Sequence, residues 1–168
     1  LMMLSDVDNQ QVMDGPFPEF SISPIQRSTI QPASVELHLS GSVSIRAGRD
    51  LLTIHHASNS SHLYRNMALP YEMERGGLVL ASTIEEIKLG PGLAGLVSGK
   101  SSLGRLGLFT NLNSILVHPG FEGHLVLELY NASPGPILLQ SGMPIAQMSL
   151  VRLVTPASSP YKGKYHNQ

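Results

Sequence analysis

The chain has 168 residues, a net charge of −1 and no cysteine. That length fits one domain able to bury about two-thirds of its unfolded surface unaided. The missing thiols exclude disulfides, thiolate nucleophiles and every zinc site built on Cys ligands, including that of the paired-cysteine nucleobase deaminases. With a near-neutral balance and no run of Lys or Arg, long nucleic acid is not an expected partner. Residues 1–6 lack the basic flank and apolar centre of a signal peptide, and no apolar stretch is long enough to cross a bilayer. The expectation is a soluble, cytoplasmic protein with no membrane association.

Sixteen glycines and twelve prolines punctuate short apolar runs, and charged residues make up only 14%. That pattern predicts an all-β sandwich or barrel in a single domain spanning residues 1–168. In chain order, Ser5 or Asp6 caps a short helix over about residues 7–13. Residues 35–39 then alternate apolar and polar, as a strand with one face on the core does. Further strands are predicted at 42–45, 51–54, 77–83, 86–89, 94–98, 108–110, 124–131, 137–139 and 144–153. Residues 101–107 are expected to be helical or tightly turned. From 155 to 168 the composition shifts to Pro, Ser, Gly, Lys and Tyr, which predicts a C-terminal tail or lid that packs poorly on its own chain.

Three stretches carry chemistry. In residues 99–108 two cations, Lys100 and Arg105, flank the hydroxyls of Ser101 and Ser102, and glycines on either side permit close backbone approach to a ligand. Phosphate oxygens match this set, because Lys acts as a point charge, Arg as a two-pronged donor and Ser as a neutral donor. On chemistry alone, phosphate binding and a solvated helix start stand level. Residues 118–123 read as a hairpin turn before a strand that sends His124, Val126, Glu128 and Tyr130 to one side and Leu125, Leu127 and Leu129 to the other. The simpler view has Glu128 facing water on a half-exposed sheet. The sharper one makes it a working carboxylate, since burial in so apolar a strand is costly unless the group is paired or catalytic. The tail from Pro160 to Gln168 reads first as a frayed basic end, and second as a phosphate lid.

Taken together, these stretches resemble the dCTP deaminase family of the trimeric dUTP pyrophosphatase superfamily over nearly the whole chain. Leu4-Ser5-Asp6, Gln31-Pro32-Ala33-Ser34-Val35-Glu36-Leu37 and Leu80-Ala81-Ser82-Thr83-Ile84-Glu85 match its early segments. The 100–108 stretch, Pro119-Gly120-Phe121-Glu122-Gly123 and the Glu128 strand match its phosphate and catalytic motifs. Gly142-Met143-Pro144-Ile145-Ala146-Gln147 and the tail complete the series. The resemblance implies a distorted β-barrel of the dUTP pyrophosphatase type with a short N-terminal helix, assembled as a homotrimer with sites between subunits.

It also implies hydrolytic deamination of dCTP to dUTP and ammonia. Glu128 would be the general base on a water near Ser101, and Arg105 would orient that carboxylate. Lys100, Ser102, Tyr161, Lys164 and Gln168 would hold the phosphates, while backbone around Val126 and Leu127 would read the pyrimidine edge. Mg²⁺ would arrive with the triphosphate, no zinc would be needed, and dTTP is a candidate inhibitor. One departure stands out: His118 occupies the place before Pro-Gly where the family usually has an aspartate, which contacts the sugar 3′-hydroxyl. Imidazole can still hydrogen-bond a hydroxyl, but it substitutes poorly for a carboxylate base. The rival expectations are therefore a dUTP pyrophosphatase, alone or coupled to deamination, and a non-catalytic deoxynucleotide-binding regulator. His55-His56 reads as a loop pair rather than a ligand cluster.

Overall fold

The computed structural model describes residues 2–15, 19–48, 51–52 and 61–163, and these are mostly strand. The chain opens with β1 (Met2–Met3) and α1 (Asp6–Asp14). Ser5 caps α1 reciprocally: its hydroxyl oxygen accepts from the Asp8 amide at 3.2 Å, and the Asp8 carboxylate accepts from the Ser5 amide at 2.9 Å. This capping box satisfies donors that the first helical turn leaves free. The Ser5 amide, and after it the Ser5 hydroxyl, hold the Asp8 carboxyl below the usual aspartate range.

The strands that follow are β2 (Phe20–Ser23), β3 (Ile30–Gln31), β4 (Ser34–Arg46), β5 (Tyr64–Ala68), β6 (Tyr71–Met73), β7 (Leu78–Leu89) and β8 (Leu93–Gly99). A one-turn helix, α2 (Ser101–Arg105), leads to β9 (Leu108–Thr110), β10 (Leu116–Val117), β11 (Glu122–Asn131), β12 (Ile137–Leu139) and β13 (Pro144–Arg152). The main sheet runs β10-β8-β13-β4-β7-β11-β9, and β6 pairs with β12 separately. β4 serves both halves of the curl. It meets β13 through Val35 to His38, β7 from Leu39 onward and β5 from Ser42.

Strand alternation fills the interior with Val35, Leu37 and Leu39 of β4, Leu125, Leu127 and Leu129 of β11, and Ile145, Met148 and Leu150 of β13. Each such side chain contributes roughly 1.5–3 kcal/mol by leaving water. Between β7 and β11 the register slips, pairing His124 with Glu86 but Val126 with Ser82. The Thr83 hydroxyl bridges the gap, accepting from the Leu125 amide at 3.0 Å and donating to the Glu85 carbonyl at 2.8 Å. Such irregularities bend a strand without ending it.

Most of the expected elements are present, with four differences. Strands expected at 35–39 and 42–45 are one continuous β4, and those at 77–83 and 86–89 are one β7, because bulges carry each pairing across the apparent break. The strands β1, β2, β3, β5, β6 and β10 were not anticipated. Of the strand expected at 51–54, Leu51 and Leu52 belong to no strand, and the remainder lies outside the described residues. The tail is the fourth. Contrary to expectation it packs on its own chain as far as it is described: Ala157 donates to Pro91 and Tyr161 to Pro119, at 2.9 and 2.8 Å. Tyr161 also lies half-buried against the core. Turn carbonyls supply the partners that composition does not reveal. Among the described residues, no helix is long and apolar enough to cross a membrane.

Candidate functional site

β11 separates two environments by parity. Its odd positions enter the core, whereas His124, Val126, Glu128 and Tyr130 point outward, as their order along the strand predicts. Residues directly opposed in an antiparallel pair share a face. Glu128 therefore lies beside Leu80 of β7, with Tyr130 next to Leu78 and Phe109. Leu78, Phe109 and Val126 are 49%, 45% and 44% exposed, so the half-buried carboxylate stands in an uncovered apolar field. Among the described residues its oxygens have no hydrogen-bond partner.

α2 feeds into this region. After one turn closed on the Lys100 carbonyl by the amides of Leu103 and Gly104, the chain enters β9, which pairs with Leu129, Tyr130 and Asn131. The Asn111 amide then donates to the Glu128 carbonyl at 2.9 Å. Ser101, Ser102 and Arg105 are exposed and, among the described residues, without side-chain partners. Lys100 is not free. Its ammonium lies 2.6 Å from the Glu36 carboxylate, both side chains being about four-fifths buried. Gly107 is needed for the protein's own packing: at φ +90° it turns the chain where an added Cβ would lie 2.7 Å from the Ser133 nitrogen.

Within one chain, no ion pair among the described residues joins Arg105 to Glu128. Leu127 sends its side chain into the core and offers a ligand only backbone. Lys164 and Gln168 lie outside the described residues. His118, exposed at the crest before β11, stacks on Tyr161 with ring centroids 5.8 Å apart and planes 14° from parallel.

Sequence reasoning missed a polar strip on the outer side of β4. Glu85, 4% exposed, accepts from the His38 amide at 2.9 Å and lies 2.6 Å from His38 Nδ1. Gln147 lies between the hydroxyls of Ser34 and Ser98, at 3.4 and 3.2 Å. The alternation of Glu36 and His38 along β4 was the available signal. Among the described residues, no three His, Asp or Glu side chains gather where they could hold a metal ion.

A family model described as dCTP deaminase-like matches residues 3–153. The chain is 38% identical over 165 residues to a protein named "dCTP deaminase, dUMP-forming" from Mycobacterium leprae, covering 95% of this chain and 85% of the relative. A protein of the same name from a Parafrankia species is 39% identical, with 95% and 81% covered. Among solved structures, the 2′-deoxycytidine 5′-triphosphate deaminase of Agrobacterium tumefaciens superposes with a TM-score of 0.67 at 21% identity. It covers 90% of this chain, which spans about half (48%) of that structure's length. A mutant dUTPase of Staphylococcus aureus phage phi11, described as coordinating a structural Mg(II) ion, gives 0.53 at 11% identity and covers 86% and 97%. At these identities the solved structures establish the fold, a mostly-β architecture of the dUTPase type.

Proposed function

This chain belongs to the dCTP deaminase-like family, and we propose that it converts dCTP and water to dUTP and ammonia with Glu128 as general base. The observation that carries the reading is the Glu128 carboxylate on the open side of β11, without a hydrogen-bond partner among the described residues and surrounded by uncovered apolar side chains. A general base must be reachable by water and substrate, and once covered it must sit in a dry site. Glu128 takes a proton from a water held near Ser101, and the hydroxide adds to C4 of cytosine. The carboxylic acid returns its proton to ring N3. The second water proton moves to the amino nitrogen, the C4–N bond breaks, and ammonia departs as the C4 carbonyl forms.

Lys100, Ser101, Ser102 and Arg105 are proposed to meet the triphosphate and balance the charge beside Glu128. Lys164 and Gln168 are proposed to join them from the tail. Backbone at Val126 and Leu127 reads the base. Mg²⁺ enters as part of the nucleotide complex, and dTTP, with the same triphosphate, is the proposed inhibitor. A homotrimer fits the uncovered field of Leu78, Phe109 and Val126, because large exposed apolar patches mark interaction surfaces. Arg105 of one protomer would then complete the Glu128 site of its partner. The proposed location is the cytoplasm.

The second reading is favoured by the relatives named dUMP-forming, and adds hydrolysis of dUTP to dUMP and pyrophosphate. We place the end point at dUTP because His118, rather than a carboxylate, occupies the hairpin crest. Purified protein incubated with dCTP and Mg²⁺ decides the matter. Ammonia with dUTP is the expected outcome, dUMP with pyrophosphate establishes the second reading, and turnover of neither nucleotide defeats both.

A further inference from the structure

We propose that His118 is a positioning residue whose imidazole serves as a stacking platform for Tyr161, fixing the root of the C-terminal tail on the hairpin that leads into β11. Three independent observations meet there. The His118 and Tyr161 rings are offset and nearly parallel, at 5.8 Å and 14°, within the range where aromatic pairs attract beyond simple burial. The Tyr161 amide donates to the Pro119 carbonyl at 2.8 Å, which fixes the backbone next to the stack. Gly120, at φ +85°, lets the chains approach so closely that an added Cβ would lie 2.5 Å from Pro160 and 2.9 Å from the Tyr161 nitrogen.

The hairpin is tied to β7 and closed on itself by backbone hydrogen bonds. Gly120 donates to Leu89, Leu89 to Phe121, and Phe121 back to His118, at 3.0, 2.9 and 3.1 Å. A tail root held by this crest has a fixed origin relative to β11 and its Glu128. Histidine suits the platform because its flat ring offers a face, whereas a carboxylate has none to offer a phenol. The stack thus gives the imidazole a task that requires no hydrogen bond to a sugar. Its consequence for substrate affinity rests on the deaminase reading; its consequence for the tail does not.

The test uses the full chain and three substitutions. His118→Ala and His118→Asp remove the flat ring, and His118→Phe keeps a face while deleting both ring nitrogens. Tryptic release of the segment after exposed Lys162, followed by mass spectrometry, reads the tail without any nucleotide. We expect His118→Ala and His118→Asp to speed this cleavage about three- to tenfold, the scale of one aromatic pair, and His118→Phe to restore most of the resistance. In parallel, KM for dCTP should rise by a similar factor in the first two variants, with kcat within about twofold, and recover in His118→Phe. Cleavage in His118→Phe as fast as in His118→Ala would overturn the platform, because the nitrogens and not the face would then matter. Unchanged cleavage in His118→Ala would overturn it equally. A chain that turns over no dCTP yet shows the tryptic pattern would refute the deaminase reading and leave the platform intact.

Discussion

The outer face of β4 and the stretch of β11 around Glu128 handle polar groups in opposite ways. On β4 the Glu36 carboxylate is answered by Lys100 and the His38 imidazole by Glu85. On β11 the Glu128 carboxylate has no partner among the described residues, and its neighbours Leu78, Phe109 and Val126 are left uncovered. A half-buried charge without a partner raises the energy of the isolated chain. On the proposed reading such a group is completed from outside the chain, so the contrast separates a structural face from one that would take substrate and a second copy.

The sharpest way to break that contrast is Glu128→Gln. Deamination should fall about a thousandfold or more, while nucleotide binding measured by calorimetry stays within a few-fold; normal turnover would remove Glu128 from the role of base. Next in size is Phe109→Glu, which places a second carboxylate in the uncovered field. Light scattering should show the mass falling from three chains to one, with circular dichroism unchanged because Phe109 is already exposed in the single chain. The third substitution moves to the answered face. Glu85→Ala strands the His38 amide and ring nitrogen and should cost about 2–4 kcal/mol, lowering Tm by about 5–10 °C. If this variant melted normally, the pairing on β4 would not be structural.

The smallest effect concerns the α1 cap. The folded Asp8 carboxyl ionises at lower pH than an ordinary aspartate at about 3.9, so its contribution to stability is present above that pH and lost as acidity carries it through the lowered folded value. Asp8→Asn should therefore lower Tm by no more than about 2 °C at pH 7, and the difference should shrink as acidity protonates the Asp8 carboxyl in the folded chain.

Long alternating strands were legible in the sequence because burial imposes a period of two, and this is also why the direction of Glu128 was readable from its neighbours. The capped helix was legible for an equally local reason, the hydroxyl of Ser5 ahead of an acidic turn. The breaks read into β4 and β7 were misplaced, because Ser40-Gly41 and Thr83-Ile84-Glu85 look like turns but lie within bulges. Short strands such as β1 and β10 owe their form to the strand beside them, and no pattern within them announces it, unlike the similarly short β9 and β12. The same applies to the Glu36–Lys100 pair, 64 positions apart, and to the docked tail, whose backbone donors meet carbonyls of distant turns. Local order was visible; meetings between remote segments were not.

β13 lies between β8 and β4 in the middle of its half of the sheet, yet among the described strands it is the last to be made. Until residue 152 leaves the ribosome, the facing edges of β8 and β4 have no strand to join them, and β1 also waits for Val151 and Arg152. The nascent chain thus carries two open, apolar-backed edges through most of its synthesis. Premature termination upstream of β13 should yield an insoluble product rather than a smaller folded one.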